Sequence, residues 1–381
     1  MRYVKPHYYD SFVCTADKCP DTCCAGWQIV IDEESLETYS QVTGPIGNRL
    51  YESIDWEEGT FKQNKRRCSF LNGENLCDLY SNLGEKALCR TCAMYPRHVE
   101  EFEGLRELSL SLSCPVAAEM ILKSREPLKL LEEETGEEEE LEEEFEDFDL
   151  LMFTQLEDAR GVMFEVLQNR KWDIEERIRF VMDMAKQMQC CIEEERYCDV
   201  DEMIGHFRKR AAQKEPDYDA AMAHCLEQHE SRYTRMCREY TIFGRLERLR
   251  PEWSELLEHA WMTLYEKGEE AYNKICREFQ AQWGQDSEWK ENWALFGENL
   301  MLFFLYTYFC GAVYDDWIES KVLLAEFSTR WIREFTMARW AETGQFSWED
   351  CVEIAYRYAR EIEHSDENLN LLEEFRETYW L

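Results

Sequence analysis

The sequence predicts a mostly α-helical protein: a small cysteine-rich, metal-binding N-terminal domain with a few short strands (1–130), an acidic linker (131–149), and an all-α helical bundle or array (150–381). Three observations carry that expectation. Nine of the seventeen cysteines fall between Cys14 and Cys114. Thirteen acidic residues crowd the eighteen positions from Glu132 to Asp149, a run that repels itself and reads as a solvated linker. Beyond it, apolar residues recur at helical spacing to the end of the chain.

Within the first part, Trp27-Gln-Ile-Val-Ile31 has the β-branched content of a short strand, and Asp32 then caps a helix through about Ser40. Asn72-Gly73 reads as a tight turn that brings Cys68 close to Cys77. Asp78 to about Cys92 is expected to be helical with an interruption at Gly84, ending at Tyr95-Pro96-Arg97. Leu108, Leu110 and Leu112 alternate with polar residues, the pattern of a half-buried strand paired back across Glu103-Gly104. Pro115 opens the next helix at its favoured first position. In the second part, Asp173-Ile-Glu-Glu176 is a capping signature followed by Ile174, Ile178, Val181, Met182, Ala185, Met188 and Ile192 at helical intervals. Pro251 and Ser347-Trp-Glu-Asp350 open two more helices. About eight helices and no strand are expected after Asp149.

Composition narrows the function. With 381 residues the chain can bury one large or two ordinary cores, and 45% hydrophobic with 32% charged residues is the balance of a soluble globular protein. The formal net charge is −37, from 80 acidic and 43 basic residues. Such a surface repels nucleic acid and anionic membrane and attracts basic, lysine-bearing protein partners. The first ten residues lack the apolar core of a signal peptide, and Met301 to Phe309 is too short to span a bilayer of roughly 30 Å. The expected compartment is therefore the cytoplasm, where dense cysteines serve metals or catalysis more often than disulfides.

The chemistry concentrates in Cys14-x4-Cys19-x3-Cys23-Cys24, Cys68, Cys77, Cys89-Arg-Thr-Cys92 and Cys114. Short loops let thiolates converge on one ion with little further ordering. Adjacent Cys23 and Cys24 cannot easily bond to each other, which points to a metal or cluster. Eight or nine thiols exceed one mononuclear site, and spacing does not separate zinc from iron–sulfur. The cysteines at 190, 191, 198, 225, 237, 276, 310 and 351 are scattered and read as small buried hydrophobes. His224, Cys225 and His229 on one helix form a weaker ligand pattern, with the structural reading favoured.

Cys19-x3-Cys23-Cys24-x-Gly26-Trp27 followed by Asp32, then Cys68-x-Phe70-Leu71-x8-Tyr80-x3-Gly84-Glu85, Thr91-Cys92-x2-Tyr95-Pro96-Arg97 and Leu110-x2-Ser113-Cys114-Pro115, resembles the flagellin lysine N-methylase family. That family belongs to the larger group of CxxxCxxCC-type zinc- or iron-chelating proteins. The likeness is densest over residues 1–122; in the helical part it rests on Glu291-Asn292-Trp293 or Glu298-Asn299-Leu300 ahead of an aromatic run. It implies a methyltransferase acting on flagellin lysines, with S-adenosylmethionine as donor and an iron–sulfur cluster of the 4Fe–4S kind, zinc being the alternative. Carried over, its metal-binding pattern falls on Cys14, Cys19, Cys23, Cys24, Cys68, Cys77, Cys92 and Cys114. No glycine-rich nucleotide-binding turn accompanies it, and Gly26 stands where a Cys-x3-Cys-x2-Cys motif has its third cysteine.

Methyl transfer to a lysine requires a desolvated pocket and a proton acceptor, and aromatic faces attract a sulfonium donor. Trp27, Tyr95 and Asp32 beside the cysteines are candidates for that environment, and Arg97 for a fork on the donor's carboxylate. No catalytic residue is assigned from sequence. Two other classes stand beside the methylase: a cysteine-cluster metal or redox protein with a different protein partner, and a structural zinc protein whose helical domain is an interaction module.

Overall fold

The computed structural model describes residues 1–136, 148–213, 230–345 and 347–374. The first strand, β1 (Arg2–Pro6), lies in the middle of a four-stranded sheet ordered β6-β7-β1-β8. The hairpin β6 (Arg97–Phe102) and β7 (Leu105–Leu110) turns at Glu103-Gly104 as expected, in the register Arg97↔Leu110 and Phe102↔Leu105. β1 runs parallel to β7, and β8 (Leu130–Glu134) closes the other edge antiparallel to β1. The start of the acidic run is thus strand and not linker. Its glutamates suit an edge strand, where charge discourages further pairing, and Glu133 meets Lys5 at 3.0 Å. The rest of the run, 137–147, lies outside the described residues.

Between β1 and β6 the chain builds a small satellite unit. It holds α1 (Glu33–Gln41), α2 (Gly44–Ser53), two two-residue hairpins, β2–β3 (Ile54–Asp55, Thr60–Phe61) and β4–β5 (Gln63–Asn64, Arg67–Cys68), α3 (Asp78–Leu83) and α4 (Arg90–Met94). Asp32 caps α1 by accepting from Ser35 N–H. Trp27–Ile31 is not a strand: it makes only the isolated bridge Val30↔Thr60, and the carbonyl of Trp27 is taken by the Gln63 side chain. Asn72 N–H donates to the Leu76 carbonyl at 2.9 Å, and Leu71 bridges Cys77, which draws Cys68 and Cys77 together as the turn predicted. Ile29, Ile31, Tyr39, Leu50, Ile54, Phe61, Phe70 and Leu79 form a separate core around Cys68 and Cys89.

The remaining residues share one large core, to which the sheet (Val4, Phe102, Leu105, Leu110) and α5 (Pro115–Leu122) contribute as fully as the helices. The division between cores therefore runs inside the 1–130 segment. After Asp149 come ten α-helices among the described residues, two more than expected, with no further strand: α6 (Leu150–Leu167), α7 (Ile174–Glu193), α8 (Val200–Ala211), α9 (Arg232–Phe243), α10 (Pro251–Ala260), α11 (Glu269–Gln285), α12 (Ser287–Tyr308), α13 (Ile318–Thr343), α14 (Trp348–Glu363) and α15 (Asp366–Glu374). The segment Glu288–Tyr314 is apolar enough to cross a membrane by composition, yet 78% of that window is buried inside the protein, so it is a core helix. Cys191, Cys310 and Cys351 are buried as expected, whereas Cys190 and Cys198 are exposed. Cys225 and the His224/His229 pattern lie outside the described residues.

Sheet and helices are joined by a buried ion pair. Arg160 of α6 forks onto Glu107 of β7, both side chains 4% exposed, and Tyr306 donates to the carbonyls of Val4 and Leu108 at 3.0 and 3.1 Å. Removing one member of such a pair strands a charge in the core, which costs roughly 3–5 kcal/mol. Arg160→Met is expected to lower the urea unfolding midpoint steeply, and Arg160→Met with Glu107→Met to recover most of it. Equal midpoints for the single variant and the parent would contradict this role.

Candidate functional site

The cysteine loop is gripped from two sides. Inside it, Asp21 Oδ1 accepts from Thr22 N–H at 2.7 Å, Thr22 Oγ1 accepts from Cys24 N–H at 3.1 Å, and the Trp27 indole donates to the Cys23 carbonyl at 2.8 Å. From the satellite unit, Gly26 N–H donates to the Arg66 carbonyl and Cys68 N–H to the Cys24 carbonyl, at 2.8 and 2.9 Å. From the helices come two arginines. Arg250, just before Pro251 opens α10, reaches Asp21 and donates to the carbonyls of Thr22 and Ala25. Arg360 of α14 pairs with Asp21 and donates from Nε to the Ser113 carbonyl at 2.8 Å. Gly26 has φ +97°, and a Cβ there would come within 2.5 Å of Arg250 Nε. Only glycine combines that backbone with that close approach.

The nine N-terminal cysteines form a linked series of pairs and near neighbours. Cys89 and Cys92 share a hydrogen bond, which pushes Cys92 up and Cys89 down as one thiol supports the other's thiolate, and Cys92 also senses Cys24 and Cys68. Cys114 senses Cys19 and Cys23, and Cys19 senses Cys23 and Cys14. Cys77 senses Cys23, and Cys68 senses Cys77. A hydrogen bond to Cys24 and then burial push the Cys23 thiol well up; burial pushes Cys68 and Cys114 up to about 11. Among the described residues, no three or more His, Cys, Asp or Glu side chains converge as a metal's ligands. The cysteines are thus gathered in kind and number for metal but stand as pairs and neighbours. Cys89, outside the pattern carried over by resemblance, is buried and directly paired with Cys92.

Against this loop α14 presents Arg360, Glu363 and His364, residues i, i+3 and i+4 on one helical face. Ser111 Oγ and Ser113 N–H donate to Glu363 Oε2, His364 Nε2 lies 3.0 Å from Ser113 Oγ, and Tyr95 OH lies 2.9 Å from the same hydroxyl. The His364 ring lies tilted against Trp27 at 5.1 Å between centroids and edge-on to Tyr95 at 6.0 Å, with Trp27 and Tyr95 5.9 Å apart. Burial pushes the Glu363 carboxyl up to about 7, with the Ser111 and Ser113 donors opposing, and the Tyr308 hydroxyl also bonds to it. Burial, then the charges of Arg360 and Arg250, push His364 down to about 3, so its imidazole is neutral at neutral pH. Four enclosed polar atoms here have no hydrogen-bond partner: Arg250 Nε, Arg360 Nη2, Glu363 Oε1 and His364 Nδ1.

Of the residues expected to face a donor, Trp27 and Tyr95 meet at this junction. Arg97 instead lies over the rings of Tyr9 and Phe12, at 5.9 and 5.3 Å. Asp32 is a structural cap whose carboxylate, despite its burial, is held below the usual range by Arg90 and Ser35 N–H donors. Glu298 binds Arg170 and Arg177, while Asn299 Nδ2 donates to the carbonyls of Leu122 and Ser124, so these residues fasten α12 to its neighbours. A cleft of about 1030 Å³ opens above Glu298 and Trp293, and no cysteine lines it. Sequence reasoning missed Arg250, Arg360, Glu363 and His364; the available signal was charge on the otherwise apolar face of α14.

Two outcomes follow from this geometry. Gly26→Ala, by displacing the Arg250 fork, is expected to destabilise the protein by about 1–3 kcal/mol, read from its melting midpoint, whereas Gly73→Ala, with open space at its Cβ, has little effect. Glu363 keeps its proton to about pH 7 in the folded state, whereas a free glutamate releases it near 4.5. Across that window the folded state holds more protons, so this group's contribution falls as pH rises. Glu363→Gln is expected to flatten the decline in stability between those values; an unchanged slope would contradict the burial argument.

The comparisons with known proteins bear on the same region. The model of the FliB lysine N-methylase C-terminal domain matches residues 160–380. The flagellar biosynthetic protein FliU of Salmonella muenchen is 28% identical over 140 residues, 34% of this chain and 83% of that protein. The lysine-N-methylases of Salmonella typhimurium and Salmonella choleraesuis are each 27% identical over 137 residues, 34% of this chain and 34% of each relative. The chain thus spans about a third of the length of those two relatives. No solved structure matches. With the family's domain matched across more than half of its residues, including both arginines of the clasp, the chain belongs to the FliB lysine N-methylase family.

Proposed function

We propose that this chain is a protein-lysine N-methyltransferase that modifies flagellin lysines in the cytoplasm, takes its methyl group from S-adenosylmethionine and depends on a cysteine-ligated iron–sulfur cluster. The observation that carries the reading is the junction: the family-matched segment supplies Arg250, Arg360, Glu363 and His364 against the cysteine loop. Relatives named lysine-N-methylase and flagellar biosynthetic protein support the activity and the flagellar setting. A surface of net charge −37 favours a lysine-bearing partner.

The reaction sets physical demands. The substrate ammonium would give its proton to water, the neutral nitrogen would take the methyl group from the donor's sulfonium as the carbon–sulfur bond breaks, and the donor would leave as a neutral thioether. Burial favours the neutral amine, and the faces of Trp27 and Tyr95 attract a sulfonium. In kind and number the thiols fit a 4Fe–4S cluster or zinc, each of which takes four. Cys14, Cys19, Cys23, Cys24, Cys68, Cys77, Cys92 and Cys114 are the residues that would hold it, with Cys89, paired with Cys92, a ninth candidate. When bound, such a centre supplies the positive charge that turns raised thiols into thiolate ligands.

Protein purified without oxygen is expected to contain iron and acid-labile sulfide and to add methyl mass to flagellin lysines when given S-adenosylmethionine. Cys23→Ala and Cys92→Ala should each lose metal, whereas Cys276→Ala retains it. Full metal content in both variants sinks the ligand assignment. Unmodified flagellin with metal-replete protein and donor sinks the activity.

A further inference from the structure

We infer that the tip of the β4–β5 hairpin and the segment before α10 form a basic docking surface for acidic residues that flank the substrate lysine, with Lys65 and Arg66 at its centre. This rests on the protein-lysine methylase reading and adds the feature by which a substrate is chosen. The chain carries 80 acidic and 43 basic residues, yet Lys62-Gln-Asn-Lys65-Arg66-Arg67 holds four cations and no acid in six positions. Arg66 meets Glu247 at 3.6 Å, which brings the segment carrying Arg245 and Arg248 to the tip. Lys62, Lys65, Arg66, Arg67, Arg245 and Arg248 are all exposed, and among the described residues their one ion pair is that of Arg66 with Glu247. They leave a positive patch on a strongly negative protein.

The turn is built against local preference. The register Gln63↔Cys68 and Asn64↔Arg67 leaves a two-residue loop, with Lys65 at φ +50° and Arg66 at φ +60°. Such a loop favours Asn-Gly, because a β-carbon is crowded in the left-handed region. Two long cations stand there instead. The place matters as much as the charge: the Arg66 carbonyl accepts from Gly26 N–H at 2.8 Å, Arg67 bridges Ala25, and Cys68 N–H donates to the Cys24 carbonyl at 2.9 Å. A protein whose lysine reaches the cysteine loop therefore brings its flanking residues to the hairpin tip. The wide acidic surface attracts the lysine, and the patch attracts carboxylates beside it. A segment carrying both signs satisfies both, whereas a uniformly basic one is repelled at the tip.

The test is fluorescence anisotropy on the full chain, purified without oxygen, with two labelled peptides: a lysine flanked by a run of aspartates, and the same peptide with serines in their place. The parent protein is expected to bind the aspartate peptide about 10-fold more tightly at low salt, as several modest exposed charge contacts combine, and to lose most of that difference at high salt. Lys65→Asn with Arg66→Gly suits the turn, so its melting midpoint is expected to hold or rise while the preference falls to about 3-fold or less. Arg245→Ser with Arg248→Ser, outside the turn, is expected to lower the preference likewise. Equal or absent binding of the two peptides by the parent, or a preference that both variants leave intact, would overturn the proposal. Methylation of both peptides at equal kcat/KM would overturn it alone and preserve the methylase reading. Tight, salt-sensitive binding of an aspartate peptide that metal-replete protein with S-adenosylmethionine never methylates would overturn the methylase reading and keep the patch as a dock for acidic segments.

Discussion

The arrangement depends on one constraint, the two buried guanidiniums that clasp the cysteine loop. Arg250 and Arg360 lie far along the chain and converge on Asp21, each also donating to backbone carbonyls of the loop or of Ser113. Asp21 answers both, and Gly26 leaves room for Arg250. A loop of four cysteines has little apolar surface with which to fix itself, so charged hydrogen bonds do that work.

The same economy runs through the molecule. A chain with so large an acidic excess places many of its arginines beside buried acids: Arg160 on Glu107, Arg170 and Arg177 on Glu298, Arg330 on Glu239 and Glu326, Arg232 on Glu334. All but Arg330–Glu326, which lies within α13, join elements distant in sequence, and each carries geometry that apolar packing alone would leave loose. Such pairs cost desolvation and need not add net stability over a well-packed apolar core. What they add here is register between the sheet, the helices and the loop. The junction departs from this habit, because its arginine, glutamate and histidine keep polar atoms unpaired.

Local rules made much of this legible in the sequence. Asp32, Asp173 and Ser347 cap the helices they were expected to cap, the Glu103-Gly104 hairpin forms, and Asn72-Gly73 draws Cys68 to Cys77, because capping and turn chemistry are written within a few residues. Trp27–Ile31 misled because β-branched content does not say whether a partner strand exists. The acidic run misled at its start because a charged stretch can serve as a sheet edge. The clasp was invisible, since Asp21 and Arg360 are 339 residues apart. Grouping of the cysteines could be read from spacing, but which thiols become neighbours depends on how the satellite unit folds back on the loop.

The central claim, that the cysteine loop and the family's helical domain form one site held by Asp21 and Arg360, is tested most directly by a double-mutant cycle. Stability would be measured for the parent, Asp21→Asn, Arg360→Met and the double variant. The account predicts a coupling of about 1.5 kcal/mol or more, as for directly bonded charged residues, while losses that add to within about 0.5 kcal/mol would contradict it.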